Sequence, residues 1–310
     1  MAIVKTDVPT TSKICSDTID QLVAAYPSCR SQVLTQTAFG RPVKTLVVGS
    51  GERNVLFTAA HHANEWITTP LLLKFGEELA QAIETGGKIW GVEGKTIGNL
   101  VTVHMVPMVD PDGVDLVTGA IQPGSEEYAI AGNLASYYPQ IPFPDGWKAN
   151  LMGVDLNLQY PAGWLTAREI KFAAGYDRPG PRDYVGRAPL NQRESRALAE
   201  YTRQVRPRLV LAYHTQGKVI YWQFRDYRIP GARELAQEFA RVSGYQMEDT
   251  PYESSFAGYK DWFIQDFRRP GFTIEAGSGK NPLPIEQFDT IYRDNLGILV
   301  TAALGLPGGA

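Results

Sequence analysis

Residues 54–66, NVLFTAAHHANEW, join an apolar run directly to a cluster of polar residues. The apolar half is rich in β-branched and aromatic residues and predicts a buried strand over Val55–Ala60. The polar half opens a helical pattern that continues over Glu65–Glu84. A short, fully apolar strand followed by a long helix is typical of α/β proteins. The stretch therefore predicts an α/β fold in which His62 lies at the carboxyl end of a strand.

The same alternation continues along the rest of the chain. Further strands are predicted over Val43–Val48, Val101–Val109, Leu209–Tyr213, Val219–Phe224 and Phe272–Glu275. Further helices are predicted over Ile19–Ala25, Gln192–Arg206, Ala232–Ser243, Gly258–Phe267 and Ile285–Leu304. We expect a single domain over 1–310, built on a mixed, mostly parallel sheet with helices on both faces. About the first 20 residues could form an arm.

The segment Pro111–Pro189 has a different composition from the rest. It is rich in Gly, Pro, Tyr and Asp and has little periodicity, which predicts long loops. Its many aromatic residues favour packed loops over disorder. Just after it, Asn191 and Glu194 form a capping-box pattern, which predicts the start of the helix that follows.

The composition is that of an ordinary soluble globular protein. Of the 310 residues, 44% are hydrophobic and 20% charged, and the formal net charge is −3. Without a concentrated basic face or a long apolar run, we expect neither nucleic-acid nor membrane binding. The first residues contain no apolar signal sequence, so we expect a cytoplasmic protein, or a secreted or wall-associated one if the N-terminus was trimmed. The oligomeric state is not indicated.

Cys15 and Cys29 are the two cysteines of the chain. They could form a disulfide, which would imply an oxidising compartment, or remain two unpaired thiols. The spacing alone leaves both alternatives open.

Polar side chains with metal-binding chemistry follow three of the apolar runs. His62 and Glu65 follow the first, His214 ends the run RLVLAYH, and Glu275 ends PGFTIE. Ligands bind at the carboxyl edge of open α/β sheets, so these groups can meet there. Two histidines and one glutamate meet the usual ligand count of a catalytic zinc ion, with the fourth position open.

The other two histidines fit structural roles better. His61 alternates in direction with its neighbour His62, and we expect it to face away from a metal bound by that residue. His104 lies in the middle of a predicted strand, where we expect a hydrogen-bonded core residue.

Four motifs occur in a set order: HHANEW, GVDLN, AYHTQG and FTIEAG. In this order and at these separations they resemble the carboxypeptidase A-like zinc peptidases. The resemblance covers the chain from about Gln21 to Leu304. It implies a single α/β domain with a central mixed sheet of about eight strands, which agrees with the alternation of predicted elements.

The resemblance assigns a role to each matching residue. It implies one zinc ion per chain, held by His62, Glu65 and His214. Asp155 matches the carboxylate that orients the first zinc histidine, which fixes the ring tautomer. Glu275 matches the general base that takes a proton from the zinc-bound water.

Further matches concern substrate binding and show departures from the family. Asn157 matches a residue that holds the substrate's terminal carboxylate, and Tyr252 matches a mobile tyrosine that closes over substrate. Leu158 stands where exopeptidases of the family have an arginine that clamps the free C-terminal carboxylate, which leucine cannot do. Lys148 stands where an arginine usually stabilises the oxyanion, and it can supply the charge together with zinc.

GVDLNLQYPAGW, WKAN and GPRDYVGRAPLNQRES are similar to one bacterial subgroup, the γ-D-glutamyl-diamino acid peptidases. These enzymes cut stem peptides of the bacterial cell wall. Lys260 lies near the position that lines the specificity pocket in relatives, where it would suit an acidic group on the residue after the cut. Arg182 and Arg187 could add carboxylate contacts.

The resemblance therefore implies a zinc peptidase that acts on γ-D-glutamyl-diaminopimelate bonds of peptidoglycan. Three alternatives remain open. They are a zinc carboxypeptidase on ordinary peptides, a zinc deacylase of N-acyl amino acids, and a non-catalytic module that binds wall peptides.

Overall fold

The computed structural model of the chain describes residues 2–305 and contains an eight-stranded mixed sheet. The strands are β1 (Cys29–Arg30), β2 (Val33–Gln36), β3 (Pro42–Lys44), β4 (Leu46–Val48), β5 (Arg53–Thr58), β6 (Lys88–Ile89), β7 (Val92–Glu93), β8 (Val101–Val106), β9 (Val210–His214), β10 (Val219–Tyr221), β11 (Gln246–Glu248) and β12 (Gly271–Glu275). The helices are α1 (Ser12–Ala25), α2 (Thr68–Thr85), α3 (Gly94–Leu100), α4 (Pro111–Val117), α5 (Glu126–Ala135), α6 (Trp164–Ala173), α7 (Arg193–Val205), α8 (Ala232–Ser243), α9 (Tyr259–Phe267) and α10 (Phe288–Leu304). Short 3₁₀ turns cover Ala63–Glu65, Leu156–Leu158, Tyr252–Ser254 and Ile285–Gln287.

The central sheet has the strand order β1-β4-β8-β5-β9-β12-β10-β11. Its four middle strands, β8, β5, β9 and β12, are parallel to one another. On either side of them, β4 and β10 run antiparallel to their inner neighbours. Parallel strands need crossover connections, and the helices that provide them cover both faces. The α/β fold predicted from the sequence, with its mixed and mostly parallel sheet, is confirmed.

Apolar side chains on both faces explain the uninterrupted hydrophobic run of β5. Val55 and Phe57 pack in the cluster that contains Phe75 of α2. Leu56 points the other way, into the cluster that contains Trp262 of α9. Burial of each side chain of this size contributes roughly 1.5–3 kcal/mol. This two-sided core holds the carboxyl ends of β5, β9 and β12 side by side.

The prediction of a single strand over Val43–Val48 is wrong, because Thr45 separates two short strands, β3 and β4. β3 pairs with β2 in a small separate sheet, and β4 joins the central sheet. Thr45 instead bonds to Gln32: its backbone N–H donates to the Gln32 carbonyl at 2.9 Å, and its hydroxyl accepts from the Gln32 N–H at 3.1 Å. A local side-chain bond thus interrupts a run whose β-branched residues favour a continuous strand.

The prediction of long loops over Pro111–Pro189 is also wrong in part, since α4, α5 and α6 lie there. Asp110 caps α4 by accepting from the Gly113 N–H at 3.0 Å. Ser125 caps α5 by accepting from the Tyr128 N–H at 3.2 Å. Both α4 and α5 begin with an ordinary capping residue. The helices have only seven and ten residues, so the spacing of their hydrophobic residues did not reveal them.

The predicted capping box at the start of α7 does not form. The helix begins at Arg193 with Gln192 as its N-cap, and Asn191 lies outside it. The reason is tertiary: the Gln159 side-chain oxygen accepts from the backbone N–H groups of Asn191 and Gln192 at 3.0 and 3.1 Å. Those donors therefore bind a distant side chain, and Glu194 is buried.

Cys15 and Cys29 are both buried and free, so the disulfide alternative is not realised. Burial raises the pKa of each thiol to about 12, which leaves both protonated and unreactive at neutral pH. Cys15 belongs to α1, which packs into the main core through Ile19 and Leu22. Within residues 2–305, no helix combines the length and apolar character that a bilayer crossing needs.

His104 on β8 is a hydrogen-bonded structural residue. Its Nδ1 accepts from the Tyr201 hydroxyl at 2.6 Å and its Nε2 donates to the Asn54 side-chain oxygen at 3.1 Å. Burial, with a smaller effect of Arg30, lowers its pKa to about 4. The unfolded chain binds a proton near pH 6.5, whereas the folded chain does not until about pH 4.

Stability should therefore fall as the pH drops from about 6.5 to about 4, with His104 costing roughly 3 kcal/mol by the lower limit. A His104→Gln variant keeps a polar side chain of similar size at this position but cannot titrate. We expect its free energy of unfolding in urea to fall correspondingly less than that of the wild type over this range. Parallel pH profiles would refute this assignment.

Candidate active site

The carboxyl ends of β5 and β9 bring three metal-competent side chains together. His62 Nδ1 lies 3.0 Å from Glu65 Oε1. His214 Nδ1 lies 2.9 Å from Glu65 Oε2 and 3.2 Å from His62 Nδ1. One ligand atom from each residue falls within 4.8 Å of the others, and all three residues are buried. The structure thus brings together the three ligands predicted from the sequence.

The turn after β5 is what aims His62 and Glu65 at one point. A 3₁₀ turn over Ala63–Glu65 follows His62 directly. The Thr68 hydroxyl pins this turn, since it accepts from the Ala60 N–H at 3.0 Å and donates to the Glu65 carbonyl at 2.7 Å. The three-residue spacing therefore becomes a shared direction of the two side chains.

Asp155 fixes the tautomer of His62. The ring donates from Nε2 to Asp155 Oδ1 at 3.1 Å, which leaves the Nδ1 lone pair directed at Glu65 and His214. Burial opposes ionisation of Asp155, but His62 outweighs it and holds the pKa of this carboxyl below its ordinary value. A carboxylate behind a metal-binding histidine orients the ring and raises its basicity, which is the place predicted for Asp155.

The donor set suits a zinc ion. The Nδ1 atoms of His62 and His214 lie only 3.2 Å apart, so their lone pairs repel each other unless a cation or proton lies between them. Burial opposes protonation of His62, but Glu65 outweighs it and raises the pKa of the ring to about 9, and a bound cation would replace that proton. Burial opposes ionisation of Glu65, yet His62 and Lys148 hold its pKa well below the ordinary value, so it is a carboxylate. Two neutral imidazoles and one carboxylate are the ligands of a catalytic zinc site, and three protein ligands leave one position open.

His61 is not part of this ligand group. It is buried, stacks on the His214 ring at 5.6 Å between centroids, and lies 3.4 Å from the Tyr160 hydroxyl. Burial, followed by His214, lowers its pKa well below the ordinary value. It packs as a neutral ring behind the site, consistent with the prediction that it faces away from the metal.

Glu275 ends β12, the strand beside β9, and pairs in register with His214. Burial, followed by the neighbouring Glu65, raises its pKa to about 8. A divalent cation held by the adjacent ligands would favour the carboxylate and lower this pKa. A carboxyl group poised to exchange a proton therefore lies next to the ligand group.

Lys148 lies close enough to Glu275 for their charges to interact. Its Nζ is 3.1 Å from Glu65 Oε1. Burial acts against its charge, but Glu65 and Asp155 outweigh this and raise its pKa. The backbone N–H groups of Lys148 and Ala149 both donate to the Pro181 carbonyl, at 2.7 and 2.9 Å, which holds the segment in place. A fixed positive charge thus borders the position where substrate would lie.

A cavity of about 420 Å³ opens beside these groups. Asn157, Leu158 and Lys260 all line it. Asn157 is held by its side-chain oxygen, which accepts from the Tyr259 N–H at 3.0 Å. Lys260 is only 4% exposed. It donates to the Gln223 carbonyl at 2.8 Å and pairs with Asp261 at 2.6 Å, so its charge is already balanced.

The remaining predicted substrate-binding residues are placed differently. Arg182 lines the cavity and donates from Nε to Asp183 Oδ2 at 2.6 Å. Arg187 lies outside the lining residues, in an exposed stretch that follows the buried Val185. Tyr252 is also outside the lining: it is 64% exposed and packs edge-on against Phe256. The contacts expected for Arg187 and Tyr252 are therefore absent from this arrangement of residues 2–305.

Several lining residues were not found from the sequence. Tyr221 of β10 lines the cavity, and Lys171 of α6 pairs with Asp183 at 2.7 Å within its wall. Asp261 balances Lys260. The pairing of Lys260 with Asp261 could have been suspected from their adjacency in the first turn of a predicted helix. The role of Lys171 had no such signal, because α6 lies in a segment predicted to be loop.

Comparison with known proteins places the chain in a family. The zinc carboxypeptidase family model matches residues 15–297. The chain is 44% identical over 282 residues to the γ-D-glutamyl-L-diamino acid endopeptidase 1 of Lysinibacillus sphaericus, which covers 91% of this chain and 69% of that protein. It is 34% identical over 283 residues to the uncharacterised YqgT of Bacillus subtilis (strain 168), covering 91% and 73%.

A solved structure supports the fold independently. Bovine thrombin-activatable fibrinolysis inhibitor, in complex with tick carboxypeptidase inhibitor, superposes with a TM-score of 0.74 at 15% identity and covers 96% of this chain and 97% of that one. At this identity the likeness concerns the fold alone. With the matched family model and the His-Glu-His group, it follows that this chain belongs to the zinc carboxypeptidase family and is a zinc metallopeptidase.

Proposed function

We propose that this zinc peptidase hydrolyses the γ-D-glutamyl-diaminopimelate bond of bacterial cell-wall stem peptides. A relative named as a γ-D-glutamyl-L-diamino acid endopeptidase is 44% identical to the chain over 282 residues, and this similarity supports the assignment. The observation that carries it is the form of the cleft. Leu158 lines the cavity where a carboxypeptidase needs a cationic clamp, and a second cavity continues beyond Glu275.

Both features favour a substrate that extends past the cut on each side. Leucine has no donor for a free C-terminal carboxylate, so the family's exopeptidase contact is lost at this position. The second cavity has a volume of about 540 Å³ and shares Lys148, Arg182, Tyr221 and Glu275 with the first. A peptide that occupies both cavities would pass directly over Glu275.

In the proposed mechanism, His62, Glu65 and His214 hold the zinc ion. When bound there, zinc supplies Lewis-acid chemistry that lowers the pKa of water and polarises a carbonyl. Glu275 accepts the proton of the attacking water and later passes it to the leaving amine. Lys148 places a positive charge beside the developing oxyanion. Asp155 keeps His62 in the tautomer that presents Nδ1.

The test is product analysis on defined peptides. We expect the purified protein to cleave L-Ala-γ-D-Glu-meso-diaminopimelyl-D-Ala, which continues past the cut on both sides, between glutamate and diaminopimelate. Mass spectrometry of the products would identify this cut. The α-linked isomer should be cleaved much more slowly, because its backbone branches at a different carbon. Cleavage of the α-linked isomer alone, or of neither peptide, would contradict the proposal.

The alternatives give different products with the same protein. Release of single residues from ordinary peptides would favour a carboxypeptidase, and hydrolysis restricted to N-acyl amino acids would favour a deacylase. Zinc content without hydrolysis of any of these substrates would favour a wall-peptide binding module.

A further inference from the structure

We propose that the second cavity recognises, through Lys280, the free α-carboxylate of the γ-linked glutamyl residue on the acyl side of the cut. This inference rests on the proposed function and names the contact that would distinguish one form of the substrate from another.

The second cavity is a separate chamber that meets the first at the catalytic groups. Asn64, Gln216, Lys280 and Asn281 are among the residues that line it and do not line the first cavity. Glu275 and Lys148 border both. A substrate bond held over Glu275 therefore has one side in each chamber.

The positions of Asn157 and Lys260 indicate which cavity receives the residue after the cut. The resemblance to the zinc peptidases implies that Asn157 holds the carboxylate of the residue after the cut and that Lys260 lies near the pocket for that residue. Both line only the first cavity. The amine-side residue therefore occupies the first cavity. The acyl-side residue, which in the proposed substrate is the glutamyl residue, occupies the second.

The loop that carries Lys280 is firmly attached to the site. Asn281 accepts from the Thr215 hydroxyl at 2.8 Å and donates to the Thr215 carbonyl at 3.0 Å. The Gly279 N–H donates to the Gln216 side chain at 3.3 Å. The Gln287 side chain donates to the Ser278 carbonyl at 2.8 Å. The backbone on both sides of Lys280 is thus held only five residues after Glu275, which limits the entropy that the loop loses when a ligand binds.

Among the cations that border the second cavity, Lys280 is the one without a carboxylate partner in the described part of the chain. Lys148 pairs with Glu65 at 3.1 Å, and Arg182 binds Asp183 at 2.6 Å. Asp145, which is exposed, also lines this cavity, so an anion there would be opposed by one acidic group and attracted by Lys280.

The γ linkage explains why an anion would enter this cavity. A γ-glutamyl amide uses the side-chain carboxyl group, so the α-carboxylate stays free and charged on the acyl side, separated from the scissile carbonyl by three carbon atoms. In the α-amidated form, isoglutamine, the same position is neutral. A lysine at this point would therefore favour the acid over the amide.

The experiment compares two peptides that differ only in this group: L-Ala-γ-D-Glu-meso-diaminopimelyl-D-Ala and its isoglutamine counterpart. We expect the wild type to prefer the acid by about fivefold in kcat/KM, the effect of a solvent-accessible ion pair, and to lose the preference at high salt. Lys280→Gln should bring the ratio close to one, mainly through KM for the acid, and Lys280→Arg should retain the preference. Lys95→Gln, a change of an exposed lysine on α3, is the matched control.

The outcomes separate this inference from the proposed function. An unchanged acid-to-amide ratio in Lys280→Gln, with both peptides still cleaved, would overturn the role of Lys280 and leave the proposed function standing. A wild type without any preference would do the same. Cleavage of neither peptide by the wild type would overturn both.

Discussion

Glu275→Gln is expected to lower kcat by about 10²–10⁴-fold while zinc remains bound. Glutamine has nearly the same shape and fits the same half-buried end of β12, but it cannot accept a proton from water. The ligand group of His62, Glu65 and His214 is left intact. The measurement is kcat on the γ-D-Glu-diaminopimelate peptide, together with zinc content by elemental analysis.

The control is Glu286→Gln, which removes an exposed carboxylate from a 3₁₀ turn away from the site. It should leave both kcat and zinc content unchanged. Near-normal turnover of Glu275→Gln would show that another group takes the proton. Loss of zinc from Glu275→Gln would show instead that Glu275 acts as a ligand.

His214→Ala should abolish measurable hydrolysis by removing one of the three zinc ligands. Loss of an outer partner of a metal ligand already costs about 10–100-fold in affinity or activity, and loss of the ligand itself should cost more. The variant would also leave Glu65 without the partner that lies 2.9 Å from its Oε2. We expect purified His214→Ala to contain far less than one zinc per chain.

Metal removal provides a second readout of the same site. Because zinc binds the folded chain, a chelator should lower the melting temperature of the wild type, and added zinc should restore both stability and activity. His214→Ala should show little response to either treatment. His104→Gln, a change of a histidine on β8 that lies outside the ligand group, should behave like the wild type. Full zinc content in His214→Ala would contradict the assignment of His214.

The position of the metal site could be predicted because polar residues interrupt strongly apolar runs. His62, His214 and Glu275 each follow residues that are too hydrophobic to be anything but buried, and buried parallel strands end at a common edge. The fold followed from the same runs, since alternating strands and helices leave few arrangements that cover both faces of the sheet.

Other features depend on contacts between distant segments and could not be predicted from local patterns. The start of α7 is set by Gln159, which takes the backbone donors that a capping box would use. The sequence predicted that Lys260 would attract an acidic group of the substrate. In the structure Asp261 already balances the charge of Lys260. The place of Tyr252 depends on its packing against Phe256.

The most direct test of the account is diffraction from crystals of the zinc-loaded protein at the zinc absorption edge. We predict one anomalous peak per chain, bonded to Nδ1 of His62, Nδ1 of His214 and the carboxylate of Glu65, with Glu275 nearby but not bonded. A peak at other residues, or a bond from Glu275 to the metal, would contradict the proposed site.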